Sequence, residues 1–241
     1  MRKSFVWFDL GYTLVYQERE STYQTALKQF GLNKELNEIE RAYHYADKLF
    51  MREYPGVLGG AAASFVPWYL GVVNYRMNIQ LDLYRLASAI REQMKNNKTH
   101  WQAFPCTHST LERLMEQSVG IGLISNWDNS ARQVLEENGL TDYFDRIVIS
   151  SETGYEKPDP RIFHHAMQLA GVSASECLYV GDNYYDDVIG ARAVMMDCLL
   201  INRFGRFGIE EVSDAEIIFS VAEVPAQVEA KKDSQSSGML V

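Results

Sequence analysis

Short apolar runs without polar alternation recur along the chain and predict the strands of a parallel sheet. Strands covered by helices on both faces lose the in–out alternation that half-exposed strands show. The predicted strands span residues 5–8, 121–124, 147–149, 177–180, 198–201 and, more weakly, 217–221. Helical periodicity lies between them, at residues 110–117, 130–138 and 161–170. Alternating strands and helices predict a doubly wound, Rossmann-like α/β domain.

The stretch between the first two predicted strands has a different pattern. Residues 17–103 give no strand signal but show helical periodicity, which Pro55 and Gly56 interrupt. The four helices predicted there are residues 21–30, 34–54, 61–77 and 82–95. We therefore predict an all-helical domain at 17–103, inserted into an α/β core of residues 1–16 and 104–229. The Ser-rich residues 230–241 are predicted to form a flexible tail.

The composition of the chain argues against nucleic-acid and membrane partners and favours a cytoplasmic location. The chain has 241 residues and a net charge of −9, whereas a nucleic-acid binder needs clustered Lys and Arg. No run approaches the ~18 apolar residues of a membrane span, and the N-terminus lacks a signal-peptide pattern. Three cysteines without a CxxC pair favour reduced thiols. We expect a cytoplasmic monomer or weak homodimer, without a nucleic-acid or membrane partner.

Polar side chains stand where the predicted strands end, at the edge of an open parallel sheet where ligands bind. These residues, including one lysine in the loop beyond the third strand, are Asp9, Ser125, Asn126, Lys157, Asp182 and Asp187. Carboxylates held close together repel one another, and a hard divalent cation such as Mg²⁺ relieves that repulsion. A desolvated carboxylate beside a cation can also attack phosphorus. The pattern therefore indicates a magnesium site with a nucleophilic aspartate and a phosphate substrate.

The four segments that carry these residues resemble, in order, the four motifs of the haloacid dehalogenase superfamily. They are residues 9–14, 125–126, 157–160 and 181–187, and the resemblance is closest over residues 143–193. The resemblance extends over residues 1–16 and 104–224, and the helical insertion is similar to the cap domain that many members place after the first motif. It implies a hydrolase with a Rossmann-like core and a helical cap.

The resemblance also implies a role for each matching residue. Asp9 would be the nucleophile and a metal ligand, and Lys157 would neutralise the nucleophile and the transferring group. Ser125 and Asn126 would bind phosphate. Asp182 and the backbone carbonyl of Gly11 would also bind Mg²⁺, and Asp187 would bind it directly or through water.

One position departs from the pattern of the family's phosphatases. These enzymes usually carry a second Asp two residues after the nucleophile, which protonates the leaving oxygen and activates water. Here that position is Gly11, and the next residue, commonly Gly, is Tyr12. Since general acid–base catalysis contributes typically ~10²–10⁴-fold, we expect slow turnover. The expected function is Mg²⁺-dependent hydrolysis of a small phosphorylated metabolite through an aspartyl phosphate.

Three alternatives stay open on the sequence. A haloacid dehalogenase or a phosphonatase-type hydrolase would use Asp9 in the same way and also lacks the second Asp. A catalytically silent metabolite-binding protein on the same fold is compatible with Gly11. A signalling receiver domain uses similar residues, but it is far shorter and places its Asp on an internal strand.

Overall fold

The computed structural model describes residues 3–97 and 100–229, so the predicted tail at 230–241 lies outside the described residues. The chain forms two compact units. The core unit contains the described residues up to Tyr16, the stretch Trp101–Gly205, and the described residues from Val212 onward. The helical unit contains the described part of Gln17–His100 together with Arg206–Glu211.

The core unit is built on a six-stranded parallel sheet, which confirms the predicted α/β fold. The strands of the chain are β1 (Phe5–Phe8), β2 (Val15–Tyr16), β3 (Gln102–Ala103), β4 (Gly120–Ser125), β5 (Arg146–Ile149), β6 (Cys177–Gly181), β7 (Asp197–Ile201) and β8 (Glu216–Ile218). The sheet order is β5-β4-β1-β6-β7-β8, and every neighbouring pair is parallel. The short strands β2 and β3 form a separate antiparallel pair.

Helices cover the sheet on both faces. The helices of the core unit are α5 (Thr107–Glu116), α6 (Ala131–Glu137), α7 (Ser150–Thr153), α8 (Pro160–Ala170) and α9 (Ile189–Ala193). Alternate residues of β1 enter different apolar clusters: Val6 and Phe8 join one, and Phe5 and Trp7 join the other. Because both faces are buried, the strand needs no polar positions, and this accounts for its continuous apolar run.

The helical unit contains α1 (Arg19–Gln29), α2 (Leu36–Glu53), α3 (Ala62–Arg76) and α4 (Leu83–Asn97), around an apolar cluster of its own. Arg206–Glu211, which the sequence pattern assigned to the core, belongs to this unit. The His44 ring stacks on Phe207 at 5.9 Å, and His44 Nε2 lies 2.9 Å from the Phe207 carbonyl oxygen. In the described part of the chain, no helix has the length and apolar content needed to cross a bilayer.

A partly buried ion pair ties α1 to α2 within the helical unit. The Arg19 guanidinium donates to both carboxylate oxygens of Asp47, and the Tyr69 hydroxyl donates to Asp47 Oδ1 at 2.6 Å. Burial by itself would raise the pKa of Asp47, but Arg19 and Tyr69 hold that pKa below its ordinary value of 3.8. The ionised Asp47 therefore stabilises the fold at pH values above the ordinary pKa of an aspartate. This stabilisation is lost as the pH falls through the lowered pKa of Asp47.

Replacing Arg19 by leucine is expected to lower the free energy of unfolding by about 3–5 kcal/mol, because the buried Asp47 would lose its cation. Urea unfolding followed by circular dichroism measures this. The matched control is Arg52→Leu, since Arg52 pairs with the more exposed Glu53 and Glu211; it should cost less than about 1 kcal/mol. Equal losses in the two variants would contradict the assigned role of the buried pair.

Candidate active site

The sheet order brings the predicted site residues to one edge. β1 lies between β4 and β6, and the carboxyl ends of parallel strands meet at the same edge of the sheet. Asp9 follows β1, Ser125 is the last residue of β4, and Asp182 follows β6. The three side chains approach the same space although they are far apart along the chain.

Lys157 links the two most buried carboxylates of the site. Its Nζ donates to Asp9 Oδ1 at 2.7 Å, to Asp187 Oδ1 at 2.7 Å and to the Tyr179 hydroxyl at 2.9 Å. The lysine is only 4% exposed. Burial by itself would lower the pKa of Lys157, but Asp187 and Asp9 raise that pKa above its ordinary value. The ammonium group therefore stays charged and compensates the carboxylates.

Ser125 and Lys157 donate hydrogen bonds to the same oxygen of Asp9. The Ser125 hydroxyl donates to Asp9 Oδ1 at 3.0 Å, so this oxygen accepts hydrogen bonds from two different side chains. Two donors on one carboxylate oxygen fix the rotation of the group. Asp9 is thereby oriented before any substrate arrives, as electrostatic preorganisation requires.

Asn126 lies at the site but is engaged with the chain itself. Its Nδ2 donates to the Lys157 carbonyl oxygen at 2.9 Å, and its Oδ1 accepts from the Lys157 backbone N–H at 2.7 Å. The side chain thus positions the lysine. A phosphate contact at Asn126, as the sequence predicts, would have to use its second amide hydrogen or its backbone N–H.

Three carboxylates form the candidate metal site. Among the described residues, Asp9, Asp182 and Asp187 each offer one oxygen, and these three oxygens lie within 4.8 Å of one another. The Asn183 backbone N–H donates to Asp187 Oδ2 at 2.9 Å. Oxygen donors with a high negative charge fit a hard divalent cation such as Mg²⁺.

Glycine at position 181 allows Asp187 to reach this place. A Cβ atom built on Gly181 would lie 2.2 Å from Asp187 Oδ2 and 2.4 Å from its Cγ, closer than atoms can approach. Asp187 belongs to a single π-helical turn, Tyr184–Val188, and the side chain of the preceding Asn183 accepts hydrogen bonds from the backbone N–H groups of Tyr185 and Asp186. Such turns are frequent at functional sites. Here the turn delivers the carboxylate to the end of β6.

The crowded carboxylates have perturbed acidities. Burial raises the pKa of Asp9 to about 6; Lys157 opposes this shift, while Asp187 and Asp182 add to it. Burial and the neighbouring Asp187 raise the pKa of Asp186 to about 7. Both carboxyl groups therefore hold protons more tightly than isolated aspartates do, which is the electrostatic situation that a bound cation reverses.

Gly11 is surrounded by aromatic rings, whereas the rest of the site consists of charged and polar side chains. A Cβ atom built on Gly11 would lie 3.0 Å from Cζ3 of Trp127 and 3.8 Å from the Trp101 ring. The two tryptophan rings contact each other with centroids 4.7 Å apart, and Tyr12 packs on Trp101 at 5.5 Å. We call Tyr12, Trp101 and Trp127 the aromatic cluster. The Trp127 and Trp101 rings lie against the position where a side chain at residue 11 would begin.

Sequence reasoning overlooked two features of the site. Tyr179 reads as a buried strand residue, yet its hydroxyl accepts from Lys157 and lies 2.9 Å from the Ile124 carbonyl oxygen. A tyrosine in a fully buried strand needs a partner for its hydroxyl, and that need was the available signal. The aromatic cluster gave no signal, because its members come from three separate segments.

Comparison with known proteins identifies the family. The sequence model of the haloacid dehalogenase-like hydrolases matches residues 63–201, more than half of the chain. The chain therefore belongs to the haloacid dehalogenase-like hydrolase family.

Relatives and solved structures agree with this membership. Haloacid dehalogenase-like hydrolase domain-containing protein 3 of Bos taurus is 29% identical over 184 residues, 74% of this chain and 73% of that protein. Ribulose-1,5-bisphosphate 5-phosphatase of Halopiger xanaduensis is 36% identical over 124 residues, 48% of this chain and 49% of that protein. The HAD phosphatase from Thermococcus onnurineus superposes with a TM-score of 0.57 at 24% identity, covering 95% of this chain and 98% of that one. The putative HAD-hydrolase YfnB from Bacillus subtilis, bound to magnesium, gives 0.63 at 17% identity, covering 95% and 99%.

Proposed function

We propose that this hydrolase is an Mg²⁺-dependent phosphatase that acts on a small phosphorylated metabolite through an aspartyl phosphate on Asp9. One observation carries the proposal: a buried lysine bridges Asp9 and Asp187, and Asp182 adds a third carboxylate within 4.8 Å. A hydrolytic dehalogenase has no need of a metal, whereas phosphoryl transfer gains from positive charge around the transferring group.

Each side chain of the site has its own role in the first step, the transfer of the phosphoryl group to Asp9. A carboxylate oxygen of Asp9 attacks phosphorus in line, and the bond between phosphorus and the leaving oxygen breaks. The leaving oxygen keeps the electron pair. Lys157 and Ser125, already hydrogen-bonded to Asp9 Oδ1, lie where they can stabilise the charge that spreads over the phosphoryl oxygens. Asn126 holds Lys157 in this position through its two backbone hydrogen bonds.

Water completes the reaction by attacking the phosphorus of the aspartyl phosphate, which returns Asp9 to its carboxylate form and releases phosphate. Asp9, Asp182, Asp187 and the Gly11 carbonyl would hold Mg²⁺, which when bound supplies positive charge to the phosphoryl oxygens. Gly11 supplies no carboxylate to accept the proton of the attacking water. The second step is therefore the slow one in this proposal.

Two relatives support parts of the proposal. The ribulose-1,5-bisphosphate 5-phosphatase is a phosphatase by name and is 36% identical over the matched part, which favours a phosphate ester as the substrate. The YfnB structure is bound to magnesium, which is consistent with Mg²⁺ as the cation. The cytoplasmic location and the monomeric or weakly dimeric state stay predictions from the sequence.

Binding of Mg²⁺ should depend on pH in a defined direction. A metal ligand must be ionised, and the pKa of Asp9 is about 6 in the metal-free protein. Affinity should therefore rise between about pH 5 and pH 7 and then level off, with protons released on binding at the acidic end. Isothermal titration in buffers of different ionisation enthalpy measures both quantities.

The control for this titration is Asp186→Asn, because the pKa of Asp186 is raised to about 7 and could contribute protons. The dependence near pH 6 should persist in this variant and should disappear in Asp9→Asn. An affinity that stays constant from about pH 5 to pH 8 would contradict the assignment of Asp9 as a ligand.

A second candidate function is hydrolytic dehalogenation, which the glycine at position 11 favours. A panel of phosphate esters and 2-haloacids, assayed with Mg²⁺ and with EDTA, separates the two. Phosphate release that needs Mg²⁺ and Asp9 is the expected result. Halide release that continues in EDTA, without phosphate release, would overturn the proposal in favour of the dehalogenase.

A further inference from the structure

Two aromatic rings crowd the position where a side chain at residue 11, two residues after Asp9, would begin. Any side chain at position 11 starts with a Cβ atom, and that atom would lie 3.0 Å from the Trp127 ring. This distance is shorter than ordinary van der Waals contact. A side chain at position 11 would need the Trp127 ring to shift by a few tenths of an ångström, so the packing of this ring favours glycine two positions after Asp9.

Hydrogen bonds fix the ring that fills this space. Trp127 Nε1 donates to the Ser130 hydroxyl at 3.0 Å, and the Trp127 backbone N–H donates to the Ser150 hydroxyl at 3.1 Å. The Trp127 carbonyl oxygen accepts from the Ser151 backbone N–H at 3.3 Å. The backbone bonds fix the position of the Trp127 main chain, and the bond from Nε1 restrains the orientation of the ring. Trp127 is thus an ordered ring at the site.

Tyr12 contributes the third ring of the aromatic cluster, and its backbone is in an unfavourable conformation. Its φ is +53°, in the left-handed region that a side chain other than that of glycine rarely adopts. For such a residue this conformation costs roughly 1–2 kcal/mol. The ring gains an edge-on contact with Trp101, a type of contact worth about 0.5–1.5 kcal/mol beyond its buried area. The chain therefore has an aromatic side chain where the backbone itself favours glycine.

We propose that the physiological substrate is a phosphate whose leaving group departs without a proton: an aryl or acyl phosphate with an apolar leaving group that packs against the aromatic cluster. The inference rests on the proposed phosphatase function and narrows its substrate. Asp9 forms the new bond to phosphorus, and the bond from phosphorus to the leaving oxygen breaks. The electron pair goes to a phenolate or a carboxylate, which is stable in water without an acid.

The acidity of the leaving group explains why aryl and acyl phosphates, unlike alkyl phosphates, need no general acid. A phenol has a pKa of ~10 and a carboxylic acid a pKa of ~4, whereas an alkoxide is nearly as basic as hydroxide, whose conjugate acid water has a pKa of ~15.7. An alkyl phosphate thus needs protonation of its leaving oxygen during bond breaking, and Gly11 offers no acid. The kcat/KM of an alkyl ester should therefore be lower by the factor that general acid catalysis typically contributes, ~10²–10⁴-fold.

The test compares esters of similar size that differ in the acidity of the leaving group. Phenyl phosphate and benzoyl phosphate represent the aryl and acyl arms, and hexyl phosphate is the alkyl control. With Mg²⁺, wild-type kcat/KM should be at least ~10²-fold higher for one or both of the first two than for hexyl phosphate. Whichever of phenyl and benzoyl phosphate has the higher kcat/KM shows whether the physiological substrate is an aryl or an acyl phosphate.

Two variants test the steric cause. Gly11→Asp alone should gain little on hexyl phosphate, because Trp127 blocks the new side chain. Gly11→Asp combined with Trp127→Ala should raise kcat/KM for hexyl phosphate by at least ~10-fold and reduce the preference for phenyl phosphate. Circular dichroism confirms that the variants fold.

The outcomes separate this inference from the proposed function. A wild-type kcat/KM for hexyl phosphate equal to the values for phenyl and benzoyl phosphate, with loss of all three rates in Asp9→Asn, would overturn the inference and leave the phosphatase intact. The absence of Asp9-dependent phosphate release from every ester would overturn the proposed function itself.

Discussion

Replacing Asp9 by asparagine is expected to reduce phosphate-ester hydrolysis by at least about 10⁴-fold, the scale on which removal of a nucleophile acts. The amide has nearly the same shape but cannot form the phosphoryl bond. Lys157 keeps Asp187 as a counter-ion at 2.7 Å, so the variant should still fold and unfold cooperatively. Initial rates with an aryl phosphate and Mg²⁺, together with a thermal unfolding curve, measure both effects.

The matched control is Asp142→Asn, the same carboxylate-to-amide change at an exposed position of the core unit. It should leave the rate within a factor of about two, since surface substitutions away from special features change little. A folded Asp9→Asn variant with more than a tenth of the wild-type rate would exclude Asp9 as the nucleophile.

Replacing Lys157 by methionine is expected to affect stability and activity together. Asp9 and Asp187 would be left as buried carboxylates without their shared cation, and breaking such a pair costs about 3–5 kcal/mol. Removal of the nearby positive charge should also raise the pKa of Asp9 above its present value of about 6. A larger fraction of Asp9 would then be protonated near neutral pH, and the loss of the ammonium charge adds to this effect, so hydrolysis should fall by at least about 10³-fold.

Lys3→Met is the control for the loss of a buried lysine. Lys3 is also 4% exposed, but it pairs with Asp197, whose side chain is 57% exposed and can be hydrated. This variant should lose about 1 kcal/mol or less. Urea unfolding measures both variants, and Mg²⁺ should recover part of the stability of Lys157→Met because it supplies positive charge to the same carboxylates. Equal stability losses in the two variants would show that the carboxylates do not depend on Lys157.

The framework of the site could be predicted from the sequence. Continuous apolar runs predict buried parallel strands, and parallel strands deliver their carboxyl ends to one edge of the sheet. That rule is sufficient to place Asp9, Ser125 and Asp182 together, and the structure does bring them together.

Contacts between segments that are distant in sequence could not be predicted. The Asn126 amide looks like a free phosphate ligand in the sequence, but it bonds to the backbone of Lys157, 31 residues away. Likewise, Arg206–Glu211 follows a core strand and carries no helical pattern of its own. Its place in the helical unit depends on the packing of Phe207 against His44. Local periodicity contains no information on either contact.

The most direct test of the proposed chemistry is to locate the phosphoryl group on the protein during turnover. The wild-type protein is mixed with an aryl phosphate and Mg²⁺, quenched rapidly in acid, digested with pepsin and examined by mass spectrometry. A phosphorylated peptide that carries the group on Asp9, is absent from Asp9→Asn and is cleaved by hydroxylamine is the predicted result. Steady phosphate release without any phosphorylated peptide, or with the group on another residue, would contradict the assignment.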